Sequence, residues 1–310
     1  MGKRENLLNK ETMRLEAEYM RSLNRVYKAV VSDILAYLAA FYDKGLPPSM
    51  ADGAMFAAMG ERAQNEYKSK ADYYFMKAAR LGVDFVGSET VKNAAKEDRA
   101  WREFIDDKEA VRVLKARQGY CGNFYSLVLH DDNLLEAILT ELKKGDFGAN
   151  QIKSRKFREF FEEQQPEKAK AFESLLDGAG AEFALRRIAR TEMWTARSQG
   201  TAVKALQNAE ESGVPRIMRF SCIESEVLCD YCRPRDNLFF VADDSPEYWE
   251  MIPPIHYNCR CTVTVVGPTV LRLYHVDEKR LNYDSEKINH LQPFDWGGHG
   301  LGRDSRAPVP

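Results

Sequence analysis

Of the six cysteines in this chain, Cys222, Cys229, Cys232, Cys259 and Cys261 fall within forty residues, while Cys121 stands alone. That crowding constrains the fold more than any other feature. Cys229-Asp230-Tyr231-Cys232 is a C-x2-C pair, and His256-Tyr257-Asn258-Cys259 is an H-x2-C pair. Two residues between ligands let one tight turn aim both side chains at a single point. Two such turns facing each other supply the four-coordinate tetrahedron that Zn²⁺ prefers. The 23 residues between the pairs suffice for a hairpin or long loop that brings them together. The pattern predicts a structural Zn²⁺ held by Cys229, Cys232, His256 and Cys259. Cys261 is an alternative ligand in place of His256 or Cys259, and Cys222, on the strand before the cluster, is a weaker candidate.

Other chemistries need companions that the sequence does not supply. A redox C-x2-C of the thioredoxin type sits in a βαβ pattern, which is absent around Cys229. A zinc deaminase needs H-x-E upstream of P-C-x-x-C, but Asp131 and Asp132 follow His130 and Leu228 precedes Cys229. The H-E-x-x-H arrangement of zinc proteases does not occur. A catalytic zinc keeps one position open to water, whereas five or six donors crowd this site, so the expected metal stabilises the fold. No catalytic residue is assigned. Pro253-Pro254-Ile255 leads into His256 as a stiff segment, since prolines fix their own φ and restrict the residue before them.

No apolar run reaches eighteen residues, so no membrane helix is expected, and Met1-Gly2-Lys3-Arg4-Glu5 does not open a signal peptide. A reducing cytoplasm is the expected site of synthesis, where clustered cysteines read as metal ligands before disulfides. Lys+Arg (45) and Asp+Glu (47) nearly balance, at a net charge of -2, which argues against a dedicated duplex-binding protein.

At 310 residues the chain exceeds one usual core. It reads as α+β, mostly α: a long N-terminal helical region (1–176), a small zinc-stapled α+β domain with short strands (177–268), and an extended or flexible tail (269–310). Leu15, Tyr19, Leu23, Tyr27, Val31, Ile34 and Leu38 recur at helical spacing and predict an amphipathic helix over 11–42. Further helices are expected over 51–81, 88–118, 133–144, 151–164 and 167–176. After a joint at 177–181 comes a helix over 182–208. Strands are expected at 217–222, 238–241 and 262–266, with one more possible strand, or an arm on a neighbouring subunit, through Leu271, Leu273, Tyr274 and Val276.

Arg190-Thr191-Glu192, Gly213-Val214, the C-x2-C pair and Pro253-Pro254-Ile255-His256-Tyr257-Asn258-Cys259-Arg260-Cys261 together resemble the minor head proteins of tailed bacteriophages, the phage Mu F-like head morphogenesis family. The resemblance covers about residues 183–266. Glu226 (or Glu224) stands where the family has Asp before the first cysteine, Asp236-Asn237 replaces its glycine turn, and Tyr257 replaces a proline. The resemblance implies a minor capsid component without turnover chemistry. Such a protein is assembled in the host cytoplasm, carried in the virion at the portal vertex, and associated with portal, coat and scaffold proteins. Packaged DNA lies nearby, with roles in procapsid assembly and in packaging or ejection. Arg190 or Glu192 is expected to pair with Glu226 or Arg260, locking its helix onto the zinc unit. The competing classes are a zinc-ribbon nucleic-acid module, disfavoured by the few basic residues in the cluster, and a toxin or enzyme domain, which would need an open metal position or a nucleophile with its base.

Overall fold

The computed structural model describes residues 3–43, 53–87, 94–120, 132–148, 151–177, 179–223 and 229–276. Helices α1 (Lys3–Asp43), α2 (Gly53–Gly87), α3 (Ala94–Asp106), α4 (Lys108–Ala116), α5 (Asp132–Lys144), α6 (Arg155–Gln164), α7 (Pro166–Asp177) and α8 (Ala179–Ser212) precede a small α+β region. That region contains strands β1 (Arg216–Ser221), β2 (Phe239–Ala242) and β3 (Thr262–Val265), with short helices α9 (Pro246–Glu250) and α10 (Pro268–Leu273). The mostly helical chain with one small sheet agrees with the fold class read from sequence. Cys121, Glu226 and the residues beyond 276 lie outside the described residues.

The chain divides into two compact units, one of Met1–Ala17, Ala71–Cys121 and Arg187–Pro310, the other of Glu18–Lys70 and Gly122–Arg186. In the second unit, Tyr19, Leu23, Tyr27, Val31 and Ile34 are buried, as their helical spacing indicates. There Phe157, Phe161 and Phe172 form an aromatic cluster, with ring centroids 5.7 Å (157–172) and 4.6 Å (161–172) apart. The helix expected over 151–164 starts at Arg155, because Ser154 caps it by accepting the Phe157 N–H at 3.2 Å.

In the first unit, the helix expected over 88–118 is two helices. Asp107 interrupts it: its carboxylate accepts the N–H groups of Glu109 (3.0 Å) and Ala110 (3.1 Å), capping α4. Its other oxygen accepts from Gln207 Nε2 on α8 at 2.9 Å. Asp107→Ala loses both functions, and urea unfolding is expected to show a loss of about 1–2 kcal/mol. A wild-type midpoint would show that the cap contributes nothing.

Helices α2 and α8 cross at glycines. A Cβ on Gly200 would collide with the Ala79 carbonyl, and one on Gly82 with the Arg197 carbonyl and the Thr201 N–H. The obstacles are backbone atoms that cannot rotate away. Gly200→Ala gains ~1 kcal/mol of helix propensity but forces the helices apart, for a net expected loss of roughly 2 kcal/mol by denaturant unfolding. A stabilised variant would contradict the close crossing.

The sheet has the order β2-β1-β3 and is antiparallel throughout. Met218, Phe220, Phe240, Val263 and Val265 join Val86, Ala202, Ala205, Tyr248, Met251 and Ile252 in one buried core. Tyr248 satisfies its hydroxyl by donating to the Ala202 carbonyl at 2.9 Å. The small sheet therefore closes its core against α8, which offsets the shortness of its own strands.

The segment through Leu271, Leu273, Tyr274 and Val276, expected as a strand or an arm on a neighbouring subunit, instead forms α10 and its C-terminal turn. Pro268 opens it behind Gly267 in extended conformation. It closes in a Schellman motif, with His275 at φ 55°, Val276 N–H bonded to Leu271 O (2.9 Å) and His275 N–H to Arg272 O (3.1 Å). Leu271 is buried while Leu273 is exposed, so the apparent alternation was not a strand period.

Candidate metal centre

Topology brings the two ligand pairs together before any side-chain chemistry acts. Register places Ser221 opposite Thr262 and Arg219 opposite Phe239, so β1 ends where β2 and β3 begin. The C-x2-C pair lies in the connection leaving β1, and the H-x2-C pair in the segment entering β3. Both therefore emerge at one end of the sheet.

Each pair is formed by a turn. Cys229 O accepts from Cys232 N–H (3.1 Å) and Arg233 N–H (3.0 Å), and a 3-10 turn over Arg233–Arg235 follows. Asp236 then accepts the Cys222 N–H at 2.8 Å, and Asn237, at φ 61°, returns its N–H to Phe220 O at 3.0 Å. In the second turn Cys259 N–H bonds to His256 O at 3.3 Å, with Asn258 at φ 68°. Asn at both left-handed positions suits their conformation, which most side chains avoid.

The donors converge. His256 Nε2 lies 2.9 Å from Cys229 Sγ and 3.1 Å from Cys232 Sγ, and Cys232 Sγ lies 3.7 Å from Cys259 Sγ. Two groups of ligand atoms result: Cys229, Cys232 and His256, then Cys232, Cys259 and Cys261, sharing Cys232. Cys222 adjoins the second group, 3.3 Å from Cys261 Sγ. A tetrahedral thiolate site with ~2.3 Å bonds separates its sulfurs by ~3.8 Å, so the Cys232–Cys259 spacing fits, while the imidazole sits closer than the ~3.5 Å such a site gives. His256 Nδ1 is 2.6 Å from the Tyr257 carbonyl, a contact that orients the ring with Nε2 toward the sulfurs. Three soft sulfurs and an imidazole suit a metal ion that prefers thiolate and imidazole ligands.

Burial opposes a charged His256, yet the sulfurs of Cys232 and Cys259 outweigh it and raise its pKa to about 11. The contact with Cys222 pushes the Cys232 thiol up, but contacts with Cys259, Cys261 and His256 bring it down to about 5. Cys222, held by Cys232 and Cys261, falls to about 6, whereas its contact with Cys222 pushes the Cys261 thiol up. Burial pushes the half-buried Cys229 thiol up as well, so the lowered thiols are Cys222 and Cys232. Arg235, also buried, donates to the Tyr231 carbonyl within the first turn.

Helix α8 holds the second turn. Thr191 Oγ1 accepts the Asn258 N–H at 2.8 Å and donates to Arg187 O at 2.8 Å. Arg190 donates from Nη1 to Asn258 Oδ1 at 2.7 Å and from Nε to Glu16 Oε1 at 3.0 Å. Arg260 approaches the same Glu16 oxygen at 3.6 Å, and Trp194 donates to the other at 3.0 Å. Arg190 and Arg260 thus meet through one buried carboxylate on α1. Glu192 is buried on α8; after burial and a hydrogen bond to Asp72, its charge helps hold the Tyr120 phenol above its ordinary pKa. Glu226 lies outside the described residues. Sequence reasoning missed Glu16, for which no local signal exists, and Thr191 and Asn258 as partners, although both stand inside the motifs it singled out.

No curated protein and no solved structure matches the chain. One family model does, described as "Phage Mu protein F like protein", over residues 148–264. The match takes in α6, α7, α8 and the whole cysteine cluster, beginning well ahead of the motif stretch at Phe183. Over that span the chain is similar to the phage Mu F-like family, in agreement with the resemblance its motifs carry.

Proposed function

We propose that this protein is a minor head component of a phage or prophage, incorporated near the portal and acting in procapsid assembly. The family match over 148–264 carries this reading. Its partners would be portal, coat and scaffold subunits, with packaged DNA nearby, and its place the virion. No helix among the described residues is long and apolar enough to cross a membrane.

In this proposal the centre holds Zn²⁺ through Cys229, Cys232, His256 and Cys259, and the ion's contribution is to stabilise the domain. Cys232 and Cys259 are buried, and the neighbouring donors Cys222 and Cys261 are buried as well, which favours a closed site over one with a water position. Thr191, Arg190 and Glu16 hold the histidine-bearing turn on α8, so the centre is rigidly attached to the helix that precedes it. The protein would then act by assembly rather than catalysis.

The genes flanking this one test the assignment. Large terminase and portal genes on one side, with scaffold and coat genes on the other, are the expected result. An adjacent immunity-like gene, or a metabolic neighbourhood, would point to a toxin or enzyme and overturn it.

A further inference from the structure

A single tetrahedral ion uses four donors, yet six converge here. Cys232 belongs to both ligand groups, Cys259 lies 3.7 Å from it, and Cys222 and Cys261 remain as a further pair 3.3 Å apart. The sheet explains that last pair. The register that sets Phe220 opposite Val263 and Ser221 opposite Thr262 sets Cys222 opposite Cys261, one step beyond the ladder. Val266 N–H bonds Ile217 O, so 218/265, 220/263 and 222/261 fall at the closely spaced, non-hydrogen-bonded positions where side chains approach most nearly. The Cys222 thiol also donates to the Cys232 carbonyl at 3.5 Å, which keeps it beside the shared cysteine.

We infer that the centre is binuclear: Cys232 and Cys259 bridge two divalent soft-metal ions, Cys229 and His256 complete the first ion's coordination, and Cys222 and Cys261 complete the second's. This deepens the proposed metal-binding reading and rests on it. The coordination count closes. Two bridging thiolates serve both ions and four terminal donors serve one each, giving each ion four ligands, the number such ions take with sulfur and imidazole. Burial fits as well, since Cys222, Cys232, Cys259 and Cys261 are 8%, 2%, 1% and 6% exposed, so water need not fill any position around the second ion. Five thiolates and two divalent ions leave one net negative charge. Arg235, at 5% exposure, is a buried cation in the turn after Cys232, where it donates to the Tyr231 carbonyl.

The test is the metal content of the full-length protein, purified anaerobically with a thiol reductant and zinc, by inductively coupled plasma mass spectrometry. Two ions per chain are expected, falling to one in Cys222→Ser/Cys261→Ser. Loading with ¹¹³Cd²⁺ should give two cadmium resonances coupled through the shared sulfurs, a readout independent of the variant. One ion per chain, with Cys222 and Cys261 recovered as free thiols or as a disulfide, would overturn the binuclear centre and leave the single-site reading standing. No bound metal would overturn both.

Discussion

Cys232→Ser is expected to abolish the ordered structure of residues 216–265. Cys232 is common to both ligand groups, 3.1 Å from His256 Nε2 and 3.7 Å from Cys259 Sγ, so no neighbour can replace it without also leaving its own place. Structural zinc contributes ~10–16 kcal/mol to folding in small zinc modules. That equals or exceeds the ~5–15 kcal/mol total stability of an ordinary domain. The β1–β2 and β2–β3 connections carry the ligands between strands of only 6, 4 and 4 residues, so the metal is expected to add its stabilisation to that of the apolar core against α8. The damage should reach α8, whose Ala202 and Ala205 pack into the same core. The second unit, built on its own aromatic cluster, should persist. Limited proteolysis with mass spectrometry of the fragments checks this: cleavage across 216–265 is expected, and a wild-type digestion pattern would contradict it.

Glu16→Ala should cost about 3–5 kcal/mol, the range found when one partner of a buried ion pair is removed. Glu16 is 7% exposed and meets Arg190, Arg260 and the Trp194 indole, so its loss removes a shared buried acceptor from two guanidinium groups and an N–H, while Arg190 keeps Asn258. A second effect follows from the geometry. Arg190 also holds Asn258, whose N–H is fixed by Thr191, and Asn258 lies between His256 and Cys259. Outer-shell changes of this kind lower metal affinity ~10–100-fold. Glu16→Gln should retain the indole contact and part of the stability while losing the charge. Denaturant midpoints together with competition against a metal chelator read both effects. Unchanged affinity in a destabilised Glu16→Ala would confine this carboxylate to packing.

The ligand pairs were legible in the sequence because their geometry is local: two intervening residues make one turn, whatever surrounds it. The three strands lie within a residue of their expected places for a similar reason, since β-branched and aromatic runs such as Thr262–Val265 sit between turn residues. Asp107 was a local signal overlooked, a capping residue within an otherwise helical stretch. Leu271 and Leu273 misled because two apolar residues cannot distinguish a strand from the start of a helix, and the decisive marks were Gly267 and Pro268. Glu16 was beyond reach, as it stands 174 residues from Arg190 and nothing local marks a carboxylate destined for burial. The pairing of Cys222 with Cys261 likewise becomes visible only once β3 is registered against β1.

In the proposed reading, a metal ion in the cysteine–histidine centre holds the Mu F-like region folded. Amide hydrogen exchange of the wild-type protein, before and after metal removal by a chelator under reducing conditions, tests it most directly. Protection in 216–265 is expected to be lost with the metal and restored by added Zn²⁺, while amides of α6 and α7 keep theirs. Protection in 216–265 that is indifferent to the chelator, in protein shown to have lost its metal, would contradict it.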